Sequence, residues 1–516
     1  MTKMKRNERG RDRNGPGRHL FQPPVKQGDV VELEAVGLTG EGEGVGRVGG
    51  GFALFVSGAL PGEFVRARVT EVRARFGRAE LLAVLTPSPD RVEAPCPIYD
   101  LCGGCQLQHL SYEGQLRWKR QLVVDALERI GKLRVRAAAD DGKAEDGGRD
   151  SDGGEGIGDS READGGVTVL PTIGMDEPWR YRNKVQVPIG FDAGEGGLGL
   201  VGGFYASGSR RVVEMEACLI QHERIEAAVS EVKAAARELG IEAYDAKSGT
   251  PAGWLRHVVV KMSFAAGDMM VVLVAAAREH PLLNALVEQV RRRLPQVVSI
   301  CLNVNDGRTS EVFGGDTFTL WGADTITDKI GGIRFAISAR SFYQVNPVQT
   351  EVLYRTALEY AGLTGRETVI DAYCGIGTIS LFLARSARQV YGVEVVPDAV
   401  CDARANARLN GIANADFTLG RAEAVLPAWR AEGLVADVVV VDPPRKGCDA
   451  ALLEAIAAMR PKRIVYVSCN PATLARDLAA LEAGGFRTVQ VQPVDMFPHT
   501  GHVECVILMV RKGAES

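Results

Sequence analysis

Cys469 lies where a predicted strand gives way to a predicted helix, in the segment RIVYVSCNPATLARDL. A thiol at the start of a helix, with Arg463 and Arg476 nearby in sequence, can have a lowered pKa and act as a nucleophile. Such a thiolate can add to C6 of a uracil ring, which makes C5 electron-rich enough to attack a methyl group. The alternative is a small buried side chain, but the polar SCNP context favours an exposed thiol. The spacing therefore predicts Cys469 as a nucleophile.

A carboxylate late in the chain would complete this chemistry. A base must remove the C5 proton before the thiol can leave, and Glu504 begins the last predicted strand in FPHTGHVECVILMV. His499 and His502 flank it and could orient it or bind phosphate. A carboxylate at the start of a strand is also often merely solvated, so that interpretation of Glu504 stays open.

Two glycines mark a ligand-binding turn. Gly375 and Gly377, in VIDAYCGIGTISLFLA, lie between a predicted strand and a predicted helix, where the backbone can approach a ligand closely. Glu394 ends the next strand roughly 20 residues further on, which suits hydrogen bonds from ribose hydroxyls. Ser380 stands where the third glycine of a dinucleotide fingerprint would be. We therefore expect a nucleoside cofactor without a pyrophosphate, such as S-adenosylmethionine, with pure packing as the alternative.

Asp442 emerges from the apolar strand of VVVVDPPRKG, and two prolines hold the backbone after it. A rigid carboxylate at this position suits hydrogen bonding to a base or to a cofactor. Methyltransferases that modify amino groups often carry an aromatic residue after such a Pro-Pro pair. Arg445 occupies that position here, which counts against an amino-directed enzyme.

Three closely spaced cysteines, Cys96, Cys102 and Cys105, occur in APCPIYDLCGGCQLQHL. Proline and glycine between the thiols let the sulfur atoms reach one metal centre. Cys218, in VEMEACLIQ, is the best candidate for a fourth ligand. The spacing leaves zinc and an iron–sulfur cluster open, although the paired knuckles usual for zinc are absent.

These residues need strands and helices to position them. From about Pro347 to Arg511, apolar strands alternate with helices, which is typical of an open, mostly parallel α/β sheet with its sites at the carboxyl ends of the strands. Residues 27–87 instead show short alternating strands between Gly-rich turns, which predicts a small β-barrel. Strands and two amphipathic helices between about Val167 and Ile337 indicate a central α+β domain.

The composition is that of a soluble globular chain, with 516 residues, of which 46% are hydrophobic and 24% charged. No apolar run approaches the roughly 20 residues of a membrane span, and the N-terminus lacks an apolar signal core, so we expect a cytoplasmic protein with no membrane partner. A basic tail, residues 1–26, and an acidic Gly-rich insert, residues 137–166, should be disordered. The basic tail could touch a polyanion such as RNA.

Basic and aromatic residues also recur outside these sites. EPWRYRNKVQVPIG interleaves Trp179, Arg180, Tyr181, Arg182 and Lys184, a pattern that suits stacking on unpaired bases and contact with phosphate. A packed strand edge explains the same pattern. The barrel strands carry further arginines that either contact phosphate or cover a solvated face.

Five motifs in order, SFYQVN, DAYCGIG, DPPR, SCNP and HVE, resemble those of the RNA uracil-C5 methyltransferases, which make 5-methyluridine. The resemblance runs from the N-terminal barrel, which is similar to a TRAM domain, to the C-terminus. It implies Cys469 as the nucleophile and Glu504 as the general base. It also implies S-adenosylmethionine contacts from four residues, Gln344, Tyr373, Glu394 and Asp442. Neither composition nor periodicity singles out Gln344.

The ribosomal RNA branch of this family carries a [4Fe-4S] cluster on a similar cysteine spacing. The resemblance therefore implies a cluster held by Cys96, Cys102, Cys105 and Cys218, and it favours 23S ribosomal RNA as the substrate. It implies a multidomain protein with an OB-like TRAM barrel (27–88), a central RNA-binding Fe–S domain (89–340) and a Rossmann-like methyltransferase domain (341–516). We expect a monomer that flips its target uridine out of the stack. The alternatives are a tRNA uracil-C5 methyltransferase, an amino-group RNA methyltransferase and a non-catalytic RNA-binding protein with a redox cluster.

Overall fold

The computed structural model describes residues 23–137, 166–192, 199–245, 253–307 and 311–513. Most of the predicted basic tail and most of the predicted acidic insert lie outside the described residues. The chain divides into two compact units between Arg91 and Val92. Among the described residues, no helix is both long and apolar enough to cross a membrane.

Five strands of the first unit close into a barrel in the order β1-β2-β3-β5-β4. They are β1 (Val30–Leu38), β2 (Glu43–Val48), β3 (Phe52–Ser57), β4 (Phe64–Val72) and β5 (Phe76–Thr86). Along β4 the side chains of Val65, Ala67 and Val69 enter the barrel core, and the residues between them face solvent. A strand alternates its side chains between two faces, so this pattern buries one face inside the barrel. The prediction of a small N-terminal β-barrel is confirmed.

Carboxylates pair with arginines on the outer face of the barrel. Arg66 pairs with Glu32 at 2.7 Å, and Arg78 pairs with Glu43 at the same distance of 2.7 Å. The pairs are partly exposed, so each contributes little to stability, typically below ~1 kcal/mol. These contacts favour the solvated-face interpretation of the strand arginines over a phosphate site.

The second unit begins with α1 (Tyr112–Arg129), β6 (Val135–Ala137) and β7 (Val167–Val169). A seven-stranded sheet follows, in the order β10-β9-β8-β11-β12-β13-β14. Its strands are β8 (Lys184–Asp192), β9 (Gly199–Tyr205), β10 (Val212–Glu214), β11 (Leu255–Met262), β12 (Met269–Ala275), β13 (Val297–Val304) and β14 (Asp316–Gly322). Helices α2 (Glu223–Glu238) and α3 (Leu283–Arg293) supply Val229 and Leu286 to a core shared with this sheet. The arrangement has the predicted α+β character.

A hairpin of β15 (Thr325–Ile330) and β16 (Ile333–Ser338) leads into the C-terminal sheet. Helices and strands then alternate: α4 (Pro347–Ala361), β17 (Thr368–Asp371), α5 (Thr378–Ala384), β18 (Gln389–Glu394), α6 (Pro397–Leu409), β19 (Ala415–Leu419), α7 (Ala422–Ala431), β20 (Val438–Val441), α8 (Ala450–Met459), β21 (Arg463–Ser468), α9 (Pro471–Ala483), β22 (Phe486–Val494) and β23 (Glu504–Arg511). The sheet order is β19-β18-β17-β20-β21-β23-β22-β7-β6. Neighbouring strands from β19 to β21 are parallel, and β23 is antiparallel to β21. The prediction of a Rossmann-like sheet is confirmed.

Part of the region predicted as the central domain belongs to this C-terminal sheet. β7 pairs in parallel with β22, and β6 pairs with β7. Val123 and Leu127 of α1 share one core with Leu474 and Leu478 of α9. Without β7, the strand β22 would expose an unpaired edge, which native sheets cover or extend. Local sequence patterns do not reveal such pairing, because the partner strands are far apart in the chain.

Candidate active site

The carboxyl ends of four parallel strands line one edge of the C-terminal sheet. Asp371 ends β17, Glu394 ends β18, Asp442 follows β20 and Cys469 follows β21. These strands are neighbours in the order β18-β17-β20-β21, so the four residues lie side by side at one edge of the sheet, where ligand clefts of such sheets form. The residues predicted at strand ends are therefore brought together by the sheet.

β23 brings the late carboxylate to the same edge. It runs antiparallel to β21, with Ser468 opposite Cys505, so Cys469 and Glu504 lie at adjoining strand ends. After the thiol, the side chain of Asn470 caps α9 and holds the turn between β21 and that helix. A nucleophile and a carboxylate thus meet through strand pairing, although they are well separated in sequence.

Burial raises the pKa of the Cys469 thiol to about 11. The carboxylates of Glu504 and Asp442 add to this rise, and the Arg445 guanidinium opposes it. The expectation of a lowered pKa, based on the sequence, is therefore wrong for this structure. The main reason is burial of the thiol, and the acids that other strands supply add to it; the sequence around the thiol shows neither.

Glu504 is buried, with 6% of its surface exposed. Burial, followed by repulsion from Asp442, raises its pKa well above the usual value, and Arg445 opposes the shift. Its carboxylate accepts no hydrogen bond from the part of the protein that the structure describes. A carboxylate in such surroundings holds a proton more tightly than one in water, which makes it a stronger base. The solvated-carboxylate interpretation does not fit this burial.

Asp442 likewise has no hydrogen-bond donor among the described residues. Burial, and then the neighbouring Asp371, raise its pKa to about 7. Burial also raises the pKa of Asp371 to about 6, against a hydrogen bond that Ser380 Oγ donates at 2.6 Å. Sequence reasoning missed Asp371, although an apolar strand that ends in an acid directly before a glycine turn was an available signal. A carboxylate left without a donor in a cleft is suited to a polar or cationic ligand group.

Backbone N–H groups in the turn after β17 and after the end of β18 hold a carboxylate in place. Glu394 accepts hydrogen bonds from the N–H groups of Gly375 (3.1 Å), Val395 (2.7 Å) and Val396 (2.9 Å). Gly375 has a φ of 54°, and a side chain built at this position would meet nothing within 4 Å. The open space at Gly375, beside an oriented carboxylate, fits a nucleoside ligand that the backbone approaches closely.

The other two predicted cofactor residues have protein neighbours of their own. Gln344 is half-buried in the loop before α4, and its backbone carbonyl accepts a hydrogen bond from Asn183 Nδ2 at 3.0 Å. Tyr373, in the turn after β17, packs against the core beside Cys448. Neither contact identifies a ligand, so the cofactor roles of these two residues stay predictions.

The four predicted metal ligands line one cavity. Cys96, Cys102, Cys105 and Cys218 surround a space of about 180 Å³. The pKa of Cys105 is raised to about 12 and that of Cys218 to about 11. Burial is the main cause, and the neighbouring cysteines contribute to both values. Within the described part of the chain, no group of three or more histidine, cysteine or acidic side chains is arranged to hold a metal ion. The structure thus gathers the four cysteines but does not show a cluster.

The aromatic and basic segment before β8 is packed. Trp179 stacks on His499 with ring centres 3.6 Å apart, and the Tyr181 hydroxyl donates to the Pro498 carbonyl at 3.2 Å. These contacts favour the packed-edge interpretation of the segment over a base-stacking surface. They also link the segment to the loop that precedes β23.

His502 in that loop contacts Arg445, whose Nη2 lies 3.1 Å from one ring nitrogen and 3.3 Å from the other. Partial loss of hydration, followed by the charge of Arg445, lowers the pKa of His502 to about 4, although the side chain reaches solvent. The ring is therefore neutral near pH 7 and can accept a hydrogen bond from the guanidinium. His502 thus orients the cation that lies near both the thiol and the buried carboxylate.

Comparisons with known proteins agree with this architecture. A family model described as TRAM domain matches residues 24–82, and one described as tRNA (Uracil-5-)-methyltransferase matches residues 326–512. An uncharacterized RNA methyltransferase of Halalkalibacterium halodurans is 53% identical to this chain, and the match covers 95% of this chain and 99% of the relative. One from Bacillus cereus is 50% identical, over 95% of this chain and 98% of the relative.

One solved structure matches nearly the whole chain. It is the Pyrococcus abyssi tRNA (uracil-54, C5)-methyltransferase in complex with S-adenosyl-L-homocysteine. Its TM-score is 0.68 at 25% identity, and the match covers 93% of this chain and 99% of that one. The identities, the two family models and the cleft geometry agree, and the chain therefore belongs to the RNA methyltransferases, in the uracil-C5 methyltransferase family.

Proposed function

We propose that this enzyme transfers a methyl group to C5 of a uridine in RNA through a covalent adduct with Cys469. The observation that carries the proposal is the meeting of a thiol and a buried carboxylate at the adjoining ends of β21 and β23. Addition of sulfur to C6 and removal of a proton from C5 need two such groups at one pyrimidine ring. Chemistry on the ring atoms also needs the target base out of its stack.

The cosubstrate in this proposal is S-adenosylmethionine, which supplies an electrophilic methyl group when bound. The ribose hydroxyls of this cosubstrate would donate hydrogen bonds to the Glu394 carboxylate, which the N–H of Gly375 orients. Asp442, which lacks a donor in the described part of the protein, would hold a polar or cationic group of the same ligand. Gln344 and Tyr373 complete the proposed binding set. The S-adenosyl-L-homocysteine bound to the Pyrococcus abyssi enzyme supports this choice.

In the first step, the thiolate of Cys469 forms a bond from Sγ to C6 of uracil. The electrons of the C5–C6 double bond move onto C5 and the O4 carbonyl. With a pKa of about 11, the thiolate is scarce at neutral pH, so a nearby cation assists its formation. We assign that role to Arg445, because its charge opposes the rise in the thiol pKa. The electron pair on C5 would then form a bond to the methyl group as the methyl–sulfur bond of S-adenosylmethionine breaks, which leaves S-adenosyl-L-homocysteine.

In the second step, Glu504 removes the proton that C5 still carries. The electrons of the C–H bond re-form the C5–C6 double bond, and the Sγ–C6 bond breaks. The products are the methylated base, a free thiolate and a protonated Glu504. The raised pKa of this carboxyl suits the task, because it makes the carboxylate a stronger base than one in water.

Two substitutions test these roles. Cys469→Ala should abolish methyl transfer while RNA binding persists, because only the covalent step is lost. Glu504→Gln should accumulate a protein–RNA adduct on a denaturing gel, because proton removal precedes release of the thiol. Cys401→Ala, at an exposed position on α6, is the matched control and should leave turnover unchanged. Full turnover in Cys469→Ala would refute the nucleophile assignment.

The RNA substrate is the finer part of the proposal. The cysteine spacing, through the family resemblance, supports 23S ribosomal RNA. Transfer RNA is the second candidate, favoured by the likeness to a tRNA (uracil-54, C5)-methyltransferase and by the name of the matching family model. Mapping 5-methyluridine in both RNAs from a deletion strain tests the choice. Loss from 23S RNA alone supports the proposal, and loss from tRNA alone overturns it.

The proposal includes a [4Fe-4S] cluster on the four cysteines. The shared cavity supports this cluster. So do the raised pKa values of the thiols, because each thiolate disfavours ionisation of its neighbours and a cationic centre would relieve that repulsion. Protein purified without oxygen should contain about four iron atoms per chain, and Cys218→Ser should lose them. One zinc ion per chain in place of iron would refute the cluster.

The remaining parts of the proposal concern organisation. We assign residues 27–88 to the barrel domain, 89–340 to the central domain, apart from β6 and β7, which extend the C-terminal sheet, and 341–516 to the methyltransferase domain, in a monomeric cytoplasmic protein. Light scattering tests the monomer, since a dimer would show twice the mass of one chain. Cell fractionation tests the location.

A further inference from the structure

The loop that carries the proposed base is held by groups from outside the C-terminal sheet. This β22–β23 loop, residues 495–503, ends directly before Glu504. Lys119 of α1 donates to the Asp495 carboxylate at 2.5 Å and to the Phe497 carbonyl at 3.1 Å. Neither side chain of this ion pair is exposed. An ion pair buried this completely strongly resists removal of one partner, so it fixes the first half of the loop.

Gln115 joins the same loop to the cysteine segment. Its side chain is fully buried. Oε1 accepts the N–H of His499 at 2.9 Å, and Nε2 donates to the carbonyls of Leu107 (3.0 Å) and Leu110 (2.8 Å). One amide therefore satisfies three backbone groups from two segments, using both its acceptor and its donors. Leu107 lies two residues after Cys105, so these contacts reach the segment that lines the cysteine cavity.

His499 takes part in these contacts in a strained conformation. Its φ is 66°, which residues other than glycine rarely adopt. Its carbonyl accepts the N–H groups of Gln106 at 3.1 Å and Leu107 at 3.0 Å, and its ring stacks on Trp179. Such strain costs about 1–3 kcal/mol and persists only where the surroundings over-determine the conformation, often at functional sites. The contacts of His499 satisfy that condition.

We propose that Gln115 and His499 are positioning residues for Glu504, and the inference rests on the proposed function of that carboxylate. They fix the β22–β23 loop, so that the first side chain of β23 meets C5 of the substrate. Glu504 begins β23, so its place depends on the loop before it as well as on the strand after it. A displacement of about 1 Å at a reacting group can slow turnover by ~10²-fold. The thiol lies at the end of a different strand, β21, so adduct formation should survive.

Gln115→Met tests the inference, because methionine has a similar shape and removes the three hydrogen bonds to the backbone as well as the contact of Nε2 with His499 Nδ1 at 3.2 Å. We expect kcat to fall by ~10²-fold with the KM for RNA within ~3-fold, since proton removal is slowed and RNA binding is not. The covalent protein–RNA adduct should accumulate for the same reason. Gln492→Met is the matched control, because Gln492 is also buried but donates to the Pro171 and Pro493 carbonyls. It should lose comparable thermal stability and accumulate no adduct.

Two further variants separate positioning from folding. Gln115→Glu, protonated in its buried site, keeps the acceptor for the His499 N–H and one donor, and it should recover kcat to within ~5-fold of the unsubstituted enzyme. If Gln115→Met does not fold, His499→Gly provides the same readout. Glycine adopts a φ of 66° freely and keeps the backbone hydrogen bonds, but it loses the stack on Trp179 and the ring contact with Gln115 Nε2. Adduct accumulation in this variant supports the inference, and its absence overturns it.

The outcomes distinguish this inference from the proposed function. Unchanged kcat in Gln115→Met overturns the inference. So does lost activity without adduct, under conditions where Glu504→Gln traps one. If Glu504→Gln itself traps no adduct, the proposed function fails, and the positioning role fails with it.

Discussion

Asp442→Asn should make the protein more stable and less able to bind its cosubstrate. Burial and the neighbouring Asp371 raise the pKa of Asp442 to about 7 in the folded protein, whereas an aspartate in an unfolded chain titrates at about 4. The folded state therefore binds this proton more tightly than the unfolded state does. Stability falls as the pH rises from about 4 to about 7, because the folded protein must then bury a charge. Asparagine carries no charge, so the variant avoids that loss.

The magnitude follows from the interval of about three pH units between the two pKa values. Each unit corresponds to about 1.4 kcal/mol, so the upper limit above pH 7 is about 4 kcal/mol. Asp442 is not fully enclosed, and solvent screening reduces the expected gain to about 2 kcal/mol. In a chain of this size, the gain corresponds to a rise in Tm of about 2–4 °C. Roughly half of the interval lies above pH 5.5, so the gain at pH 8 should be about twice that at pH 5.5.

Thermal unfolding at about pH 5.5 and about pH 8, together with a titration of S-adenosylmethionine, measures both effects. The variant should bind the cosubstrate at least ~10-fold more weakly, because a lost hydrogen bond to a charged group costs about 1.5–3 kcal/mol. Asp398→Asn, at the exposed start of α6, is the control and should change neither quantity. An equal change in Tm at both pH values, or an unchanged affinity for the cosubstrate, would refute the reasoning.

The active-site cation, the thiol and the buried ion pair lead to further expectations. In the pH profile of kcat/KM, Arg445→Gln should shift the rise in activity to higher pH, because Arg445 lowers the pKa of both Cys469 and Glu504. An unshifted profile contradicts this role. In the unsubstituted enzyme, a pH series should show kcat/KM rising into the alkaline range, toward the thiol pKa of about 11. Lys119→Met should lower the free energy of unfolding by about 3–5 kcal/mol in urea, because Asp495 stays buried without its partner. The double variant with Asp495→Asn should regain part of that loss, and equal losses in both would argue against the ion pair.

Periodicity and turn chemistry were sufficient to predict the barrel and the C-terminal sheet. The alternation of Val65, Ala67 and Val69 in β4 shows why, since a period of two specifies a strand with one buried face. The turn at Gly375 is another case, because its positive φ of 54° favours glycine at that position. Each feature depends on contacts within a few residues along the chain, so the sequence displays it directly.

The environment of the site could not be predicted in the same way. The sequence around Cys469 indicates a helix start and nearby arginines, which favour a lowered pKa. The structure shows the opposite shift, because burial disfavours the thiolate and because Glu504 and Asp442, from neighbouring strands, disfavour it further. Asp371 was missed for a related reason, since its importance comes from its effect on the pKa of Asp442.

The chemical candidates and the local elements that present them, including a thiol after one strand and a carboxylate at the start of another, can be read from the order of residues alone. The folded chain adds that these two strand ends adjoin, that Cys218 shares a cavity with the earlier cysteines, and that Gln115 of α1 reaches the loop before Glu504. The difference comes from the range of the interactions. Helices, turns and strand alternation arise from neighbours along the chain, whereas sheet order, burial and the charges around a site arise from distant segments that packing brings together.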